Sequence, residues 1–199
     1  MENFENKTPE TNFKKELLDW ALTIIIAVVI AFVLKTFVMT LAKVDGQSME
    51  PTLQHADRMY VNKLFYKPER GDVVIVKSEK TNDRFWIKRV IAVEGDTLYI
   101  DFERGDVYVN GEMIDEPYIK EPTRRTGRYI DNLMSKGEFT IGNPITIEEG
   151  EVFVMGDNRN NSADSRVIGP VAVEDIEGHA VFRFWPLNDM GCKDYSFEE

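Results

Sequence analysis

From Trp20 to Leu34 the chain carries no charge and is built mostly of Ile, Val, Ala, Leu and Phe; after Lys35 the apolar character resumes through Thr36–Ala42. Taken whole, the run is about the length that crosses a bilayer as a helix, with the lysine near one end able to snorkel its ammonium to the headgroups. Beyond it the pattern changes to short β-branched or alternating runs. Val73–Val76, Phe85–Val93, Thr97–Phe102, Val107–Ile114, Ile145–Ile147, Glu151–Met155, Val171–Val173 and His179–Trp185 read as strands. Gly-Asp pairs at 71–72, 95–96, 105–106 and 156–157 punctuate them as turns, and Asn110-Gly111 marks a two-residue hairpin. The segment Pro117–Pro144 is polar with weak periodicity and reads as an exposed loop or small insertion. The expectation is a cytoplasmic tail over 1–18, a transmembrane anchor over 19–42, and an extracytoplasmic β-domain over 43–199 with an inserted loop at about 117–144.

A cleaved leader is the competing reading of the apolar run. No small-x-small site follows it, and Glu2, Glu5, Glu10, Glu16 and Asp19 precede it, unlike the basic start of a leader. Lys7, Lys14 and Lys15 before the run, against Lys43 and Arg58 after it, lean slightly towards a cytoplasmic N-terminus.

Composition narrows the chemistry. With 199 residues the chain has room for one sizeable domain, and its net charge of −11 makes it a poor partner for nucleic acid or anionic lipid. The one cysteine, Cys192, excludes an internal disulfide and a cysteine zinc cluster, and reads as a passive thiol. There is no P-loop, dinucleotide fingerprint, HExxH or G-x-S-x-G elbow, and neither histidine, His55 or His179, lies in a nucleophile context.

Three segments could carry chemistry. In Gly46-Gln47-Ser48-Met49-Glu50-Pro51, Gly46 permits unusual backbone angles or a close substrate and Pro51 stiffens the chain after the serine, although a plain turn serine has the same look. Lys88 shares a strand face with Trp86 and Val90. Desolvation there would lower its pKa and make it a base for a serine hydroxyl; the plain alternative is a surface lysine. The polar run Gly156–Arg166 follows an apolar strand. As a calcium loop its spacing fails, because Arg159 or Ala163 falls where a ligand or glycine is needed. As an internal brace, Asp157 and Asp164 can pair with Arg166 or Arg159, and Ser162 can orient a nearby side chain.

Taken in order, Ser48-Met49-x-Pro51-Thr52-Leu53, Arg70-Gly71-Asp72-Val73-Val74, Lys88 through Asp96, and Gly156-Asp157-Asn158-Arg159 through Arg166 resemble the bacterial type I signal peptidases over residues 20–185. The resemblance implies a large, mainly antiparallel, partly barrel-like β-domain on one N-terminal transmembrane helix. It implies Ser48 as nucleophile and Lys88 as general base, Ser162 as the serine that hydrogen-bonds the lysine, and Asp157, Asp164 and Arg166 as braces, with the Ser48 N–H as one oxyanion donor. Gly46 stands where some members carry a second donor, a serine hydroxyl. No metal or cofactor is implied. The implied substrate is a preprotein signal peptide with small residues three and one before the cut, bound as an added strand. Val44, Gly46, Gln47, Met49, Leu53, Trp86 and Ile87 would frame it. The resemblance also implies contact with the lipid bilayer, to which Phe65, Tyr66 and Trp185 would contribute, and secretion machinery nearby. The single span and short 117–144 region resemble the compact Gram-positive form. Lysine at 88 separates the chain from the Ser–His enzymes of the endoplasmic reticulum. A self-cleaving repressor, an inactive assembly homologue and an anchored binding domain remain as rival readings.

Overall fold

The structure is a computed structural model that describes residues 13–33, 39–64 and 66–192. It divides into two units, one before Met39 and one from Met39 onward.

In the first unit, the helix α1 spans Phe13–Val33. Its described side chains are exposed on every side, Ile24, Ile25, Val28 and Phe32 among them. No helix among the described residues is long and apolar enough to cross a membrane. Lys15, Glu16 and Asp19 occupy the start of α1, and the uncharged part from Trp20 to Val33 covers about 21 Å at 1.5 Å per residue, against roughly 30 Å of hydrocarbon.

The second unit is mainly β. Its strands are β1 (Met39–Lys43), β2 (Arg58–Asn62), β3 (Val73–Val76), β4 (Trp86–Ala92), β5 (Thr97–Asp101), β6 (Asp106–Val109), β7 (Glu112–Met113), β8 (Ile145–Thr146), β9 (Glu151–Met155), β10 (Val171–Ala172) and β11 (Ile176–Trp185). A seven-stranded sheet runs β1-β2-β11-β3-β4-β9-β10, and a four-stranded sheet runs β7-β6-β5-β8. Every pairing between them is antiparallel. Among the described residues the larger sheet keeps two edges, β1 and β10, so it is open and not a closed barrel. Register shifts in β11 against β2 and β3 bend it instead.

Local sequence accounts for most of these elements. Val-Val-Ile-Val of β3 is buried on both faces, as a central strand with no polar face must be. β5 and β6 alternate instead, turning Leu98, Ile100, Val107 and Val109 inward. Asn110 and Gly111 both take positive φ, 54° and 82°, the geometry of the tight β6–β7 hairpin turn. Three apolar clusters fill the domain. One joins the small sheet to the ends of β4 and β9. A second gathers Val44, Met49 and Leu53 against Met59, Val61, Val73 and Ile75. The third gathers Val74, Val76, Val90, Val152, Val154 and Val171.

Three expectations change. Met39–Ala42, read as the end of the anchor, pairs with β2 as the edge strand β1, where its apolar residues serve a sheet. β2 itself escaped the sequence because its Arg-Met-Tyr-Val-Asn pattern has only two inward residues, Met59 and Val61. The 117–144 segment is more than an exposed excursion. It holds the helix α2 (Arg128–Ser135), and Tyr118, Thr123, Ile130 and Phe139 are buried. These anchors lie too far apart to register as a period.

Candidate active site

The loop after β1 carries Ser48, and the domain grips this loop from both sides. Met49 and Leu53, which are 1% and 0% exposed, sink into the core behind it. In front, Asn158 donates its backbone N–H to the Ser48 carbonyl at 3.0 Å and its side-chain Nδ2 to the Gln47 carbonyl at 3.1 Å. Gly46 has φ +99° with open space where a Cβ would point, so the chain turns there in a conformation that suits glycine. Its N–H donates to His55 Nδ1 at 3.3 Å.

β4 delivers Lys88, opposite Val74 of β3. Its Nζ lies 2.8 Å from Ser48 Oγ, donates to the Ile87 carbonyl at 2.8 Å, and sits 5.6 Å from the centroid of the Trp86 ring. The residue is 4% exposed. Burial lowers its pKa to about 8, with Arg166 adding to the effect and the carboxylates of Asp164 and Asp157 opposing it. With one proton given to Ile87, the neutral amine has a lone pair for the Ser48 hydroxyl proton.

The segment after β9 closes the site. Gly156 must be glycine on packing grounds: a Cβ there would meet Ser162 Oγ at 2.3 Å and the Ser48 carbonyl oxygen at 2.4 Å. Ser162, 4% exposed, therefore lies close to Ser48 across this glycine; its hydroxyl is directed to the Ala163 carbonyl at 3.4 Å and to Asp164, while the partners of Lys88 Nζ are Ser48 Oγ and Ile87 O. Asp164 caps the short helix α3 (Ser165–Ile168) and takes both Arg166 Nε and Nη2, at 2.8 and 2.7 Å. Burial pushes the Asp164 carboxyl up, but its bonds to Arg166 and to the Gly156 N–H outweigh this and hold it below the usual carboxylate range.

Asp157 pairs with neither Arg166 nor Arg159. Its carboxylate binds Arg89 of β4 in a two-pronged pair at 2.9 and 2.7 Å, fully buried. Arg159 instead meets Glu116, Thr123 at 2.9 Å and the Gly156 carbonyl at 3.1 Å. Burial alone would lower the Arg159 pKa, and the Glu116 carboxylate reverses this and raises it. Tyr118 lies between the two pairs, its ring centroid 4.1 Å from the Arg89 guanidinium carbon. Burial pushes its phenol upward. Arg89 and Glu116 were not singled out from the sequence. A charge in the apolar strand Phe85–Val93 is the signal that could have found Arg89; nothing in the polar surroundings of Glu116 sets it apart.

A groove of about 1360 Å³ runs past Ser48 and Lys88. Val44, Gly46, Gln47, Met49, Trp86 and Ile87 line it, joined by Ile75 and Ala163, which the sequence did not suggest. Leu53 does not line it: it is a core residue supporting the loop from beneath. β4 is paired to β3 along Trp86–Arg89, but its pairing to β9 begins only at Arg89. Among the described residues no strand covers the other side of Trp86–Lys88. Of the aromatics expected at lipid, Trp185 is exposed, Tyr66 stacks on His179 and donates to Asp72 at 2.5 Å, and Phe65 lies outside the described residues.

A serine hydroxyl held against a buried lysine of lowered pKa, beside an open strand edge, is an arrangement able to carry out acyl transfer on an extended peptide. Comparison with known proteins agrees in class. The family described as signal peptidase, peptidase S26, matches residues 17–185. Signal peptidase IB of Staphylococcus aureus is 38% identical over 183 residues, covering 89% of this chain and 94% of that protein. Signal peptidase I S of Bacillus subtilis is 36% identical over 189 residues, covering 92% and 97%. A crystal structure of a signal peptidase I from Enterococcus faecalis aligns at 28% identity with a TM-score of 0.45, over 58% of this chain and 98% of the other. The chain belongs to the signal peptidase family, whose members are serine endopeptidases.

Proposed function

We propose that the chain is a membrane-anchored endopeptidase that removes N-terminal signal peptides from exported preproteins, cutting after a small-x-small motif. The observation that carries the reading is the 2.8 Å approach of Lys88 Nζ to Ser48 Oγ on a lysine that burial keeps largely deprotonated above pH about 8. Neutral Lys88 accepts the Ser48 proton as Oγ attacks the scissile carbonyl carbon. The resulting oxyanion is met by the Ser48 N–H, which has no hydrogen-bond partner among the described residues. Lys88 then passes its proton to the departing amine. A water that gives its proton to Lys88 attacks the acyl carbonyl, and Lys88 returns that proton to Ser48 Oγ as the acyl bond breaks.

The substrate fits as an extended segment laid along Trp86–Lys88, taking up the backbone groups on the side that β9 leaves open. Val44, Met49, Ile75 and Ile87 are apolar and give a groove wall suited to small side chains. Ser162, Asp157, Asp164 and Arg166 serve to keep Ser48 and Lys88 in register. The anchor is read from the uncharged run Trp20–Leu34: the described apolar side chains of α1 are exposed, which is costly in water and favourable in lipid. Lys7, Lys14 and Lys15 before the run support reading the N-terminus as cytoplasmic, with the β-domain on the outer face of the membrane, near the exit of the secretion machinery.

The test is cleavage of a preprotein with alanine three and one residues before the junction, against the same preprotein with phenylalanine at both places. The reading predicts one cut after the second alanine, located by product mass, and loss of that cut with phenylalanine. Equal cleavage of both, or cutting elsewhere, contradicts it.

A further inference from the structure

The Ser48 N–H belongs to the same peptide plane as the Gln47 carbonyl. That peptide is not among the cis bonds of the chain, so the carbonyl and the N–H point in opposite directions. Whatever holds the carbonyl therefore aims the N–H. Two groups hold it: the Glu50 N–H at 3.2 Å and Asn158 Nδ2 at 3.1 Å. The first lies within the same loop and moves with it. The second comes from across the site, from a segment fixed in place by the buried Asp157–Arg89 and Arg159–Glu116 pairs on either side of Asn158. Gly46, with φ +99° and nothing above its Cα, sits just before this peptide and gives it no side-chain support.

We propose that Asn158 is a positioning residue whose side-chain amide orients the Gln47–Ser48 peptide, and through it the oxyanion-binding N–H of Ser48. This rests on the reading of Ser48 as the nucleophile. The two bonds from Asn158 have separate tasks. Its backbone N–H holds the Ser48 carbonyl and survives any side-chain change, so the loop stays attached. The amide adds the hold on the Gln47 carbonyl that comes from outside the loop, and so fixes the tilt of the plane relative to the rest of the site. A peptide free to rock gains nothing when charge develops on the oxygen, because the donor is no longer aimed in advance.

The experiment compares Asn158→Ala, Asn158→Leu and Asn158→Gln with the parent in the full chain. Three quantities are read: kcat on a preprotein; affinity for a peptide aldehyde, which adds Ser48 Oγ–H across its C=O to give a tetrahedral hemiacetal; and affinity for the same peptide as a free acid. The Ala and Leu variants are expected to lose about 10- to 100-fold in kcat, part of the loss seen when an oxyanion donor is removed outright. Aldehyde affinity falls by the same factor, the acid-form affinity is unchanged, and the pH midpoint of the rate stays where it is in the parent. Gln, which keeps the amide, recovers part of the loss. Parent-like kcat and aldehyde affinity in Ala and Leu overturn the proposal, as does an equal loss of aldehyde and acid affinity, which marks general damage to the groove. A parent that neither cuts nor binds the aldehyde overturns the reading of Ser48, and the role of Asn158 with it.

Discussion

Lys88 is placed where stability and reactivity disagree. Its pKa falls from 10.5 to about 8 because its amine is buried. The unfolded chain therefore holds a proton that the folded chain has released between these two values, and stability rises with pH across this window. Below pH 8 the burial costs of order 3 kcal/mol, from 1.36 kcal/mol per pKa unit. Lys88→Met is accordingly expected to be inactive yet more stable at pH 7, by up to about that amount, with the gain shrinking as pH approaches 10.5. Denaturant midpoints at pH 7 and pH 10 measure it; a variant less stable than the parent at both contradicts it. The reactive form is the neutral amine, so kcat/KM should climb through a midpoint near 8. A midpoint near 6.5 would point to a histidine instead. Ser48 and Lys88 could be found in the sequence because each stands in a motif whose neighbours are contiguous. The Arg89–Asp157 pair could not, since its members lie 68 residues apart and spacing says nothing about who meets whom across a sheet.

The elements around the site are joined through buried charge pairs. Arg89 and Asp157 are both fully buried, and removing either partner breaks the two-pronged pair between them. Asp157→Ala is expected to cost roughly 3–5 kcal/mol. Replacing both with apolar residues of similar volume should cost less than the single change, and a denaturation double-mutant cycle separates the two. Gly156→Ala acts differently. A methyl 2.4 Å from the Ser48 carbonyl oxygen and 2.3 Å from Ser162 Oγ forces the β9 end and the nucleophile loop apart. Activity should fall far more than stability, and activity matching the parent would show that this contact is not held in solution. At this scale the sequence was a good guide to strands with a clean period, such as β3, β5 and β6. It failed where another reading absorbed the residues: Met39–Ala42 looked like more membrane helix, and the 117–144 segment hid buried Ile130 and Phe139 behind polar neighbours.

On the scale of the whole molecule, one acidic β-domain presents a groove with a strand edge beside Ser48 that no strand covers among the described residues, and the chain before it carries a helix whose described apolar side chains are exposed. The anchor proposed for that helix predicts that the full chain stays with the membrane pellet through alkaline carbonate washing, and that a chain starting at Met39 is released. Retention of the shortened chain would locate the lipid contact in the β-domain. The central claim is the serine–lysine pair itself. Its most direct test is cleavage of a detergent-solubilised preprotein by the parent, Ser48→Ala and Lys88→Ala, each shown to be folded by circular dichroism. The parent should release the signal peptide and both variants should release none above background; an inert parent, or parent-like cutting by either variant, would contradict the account.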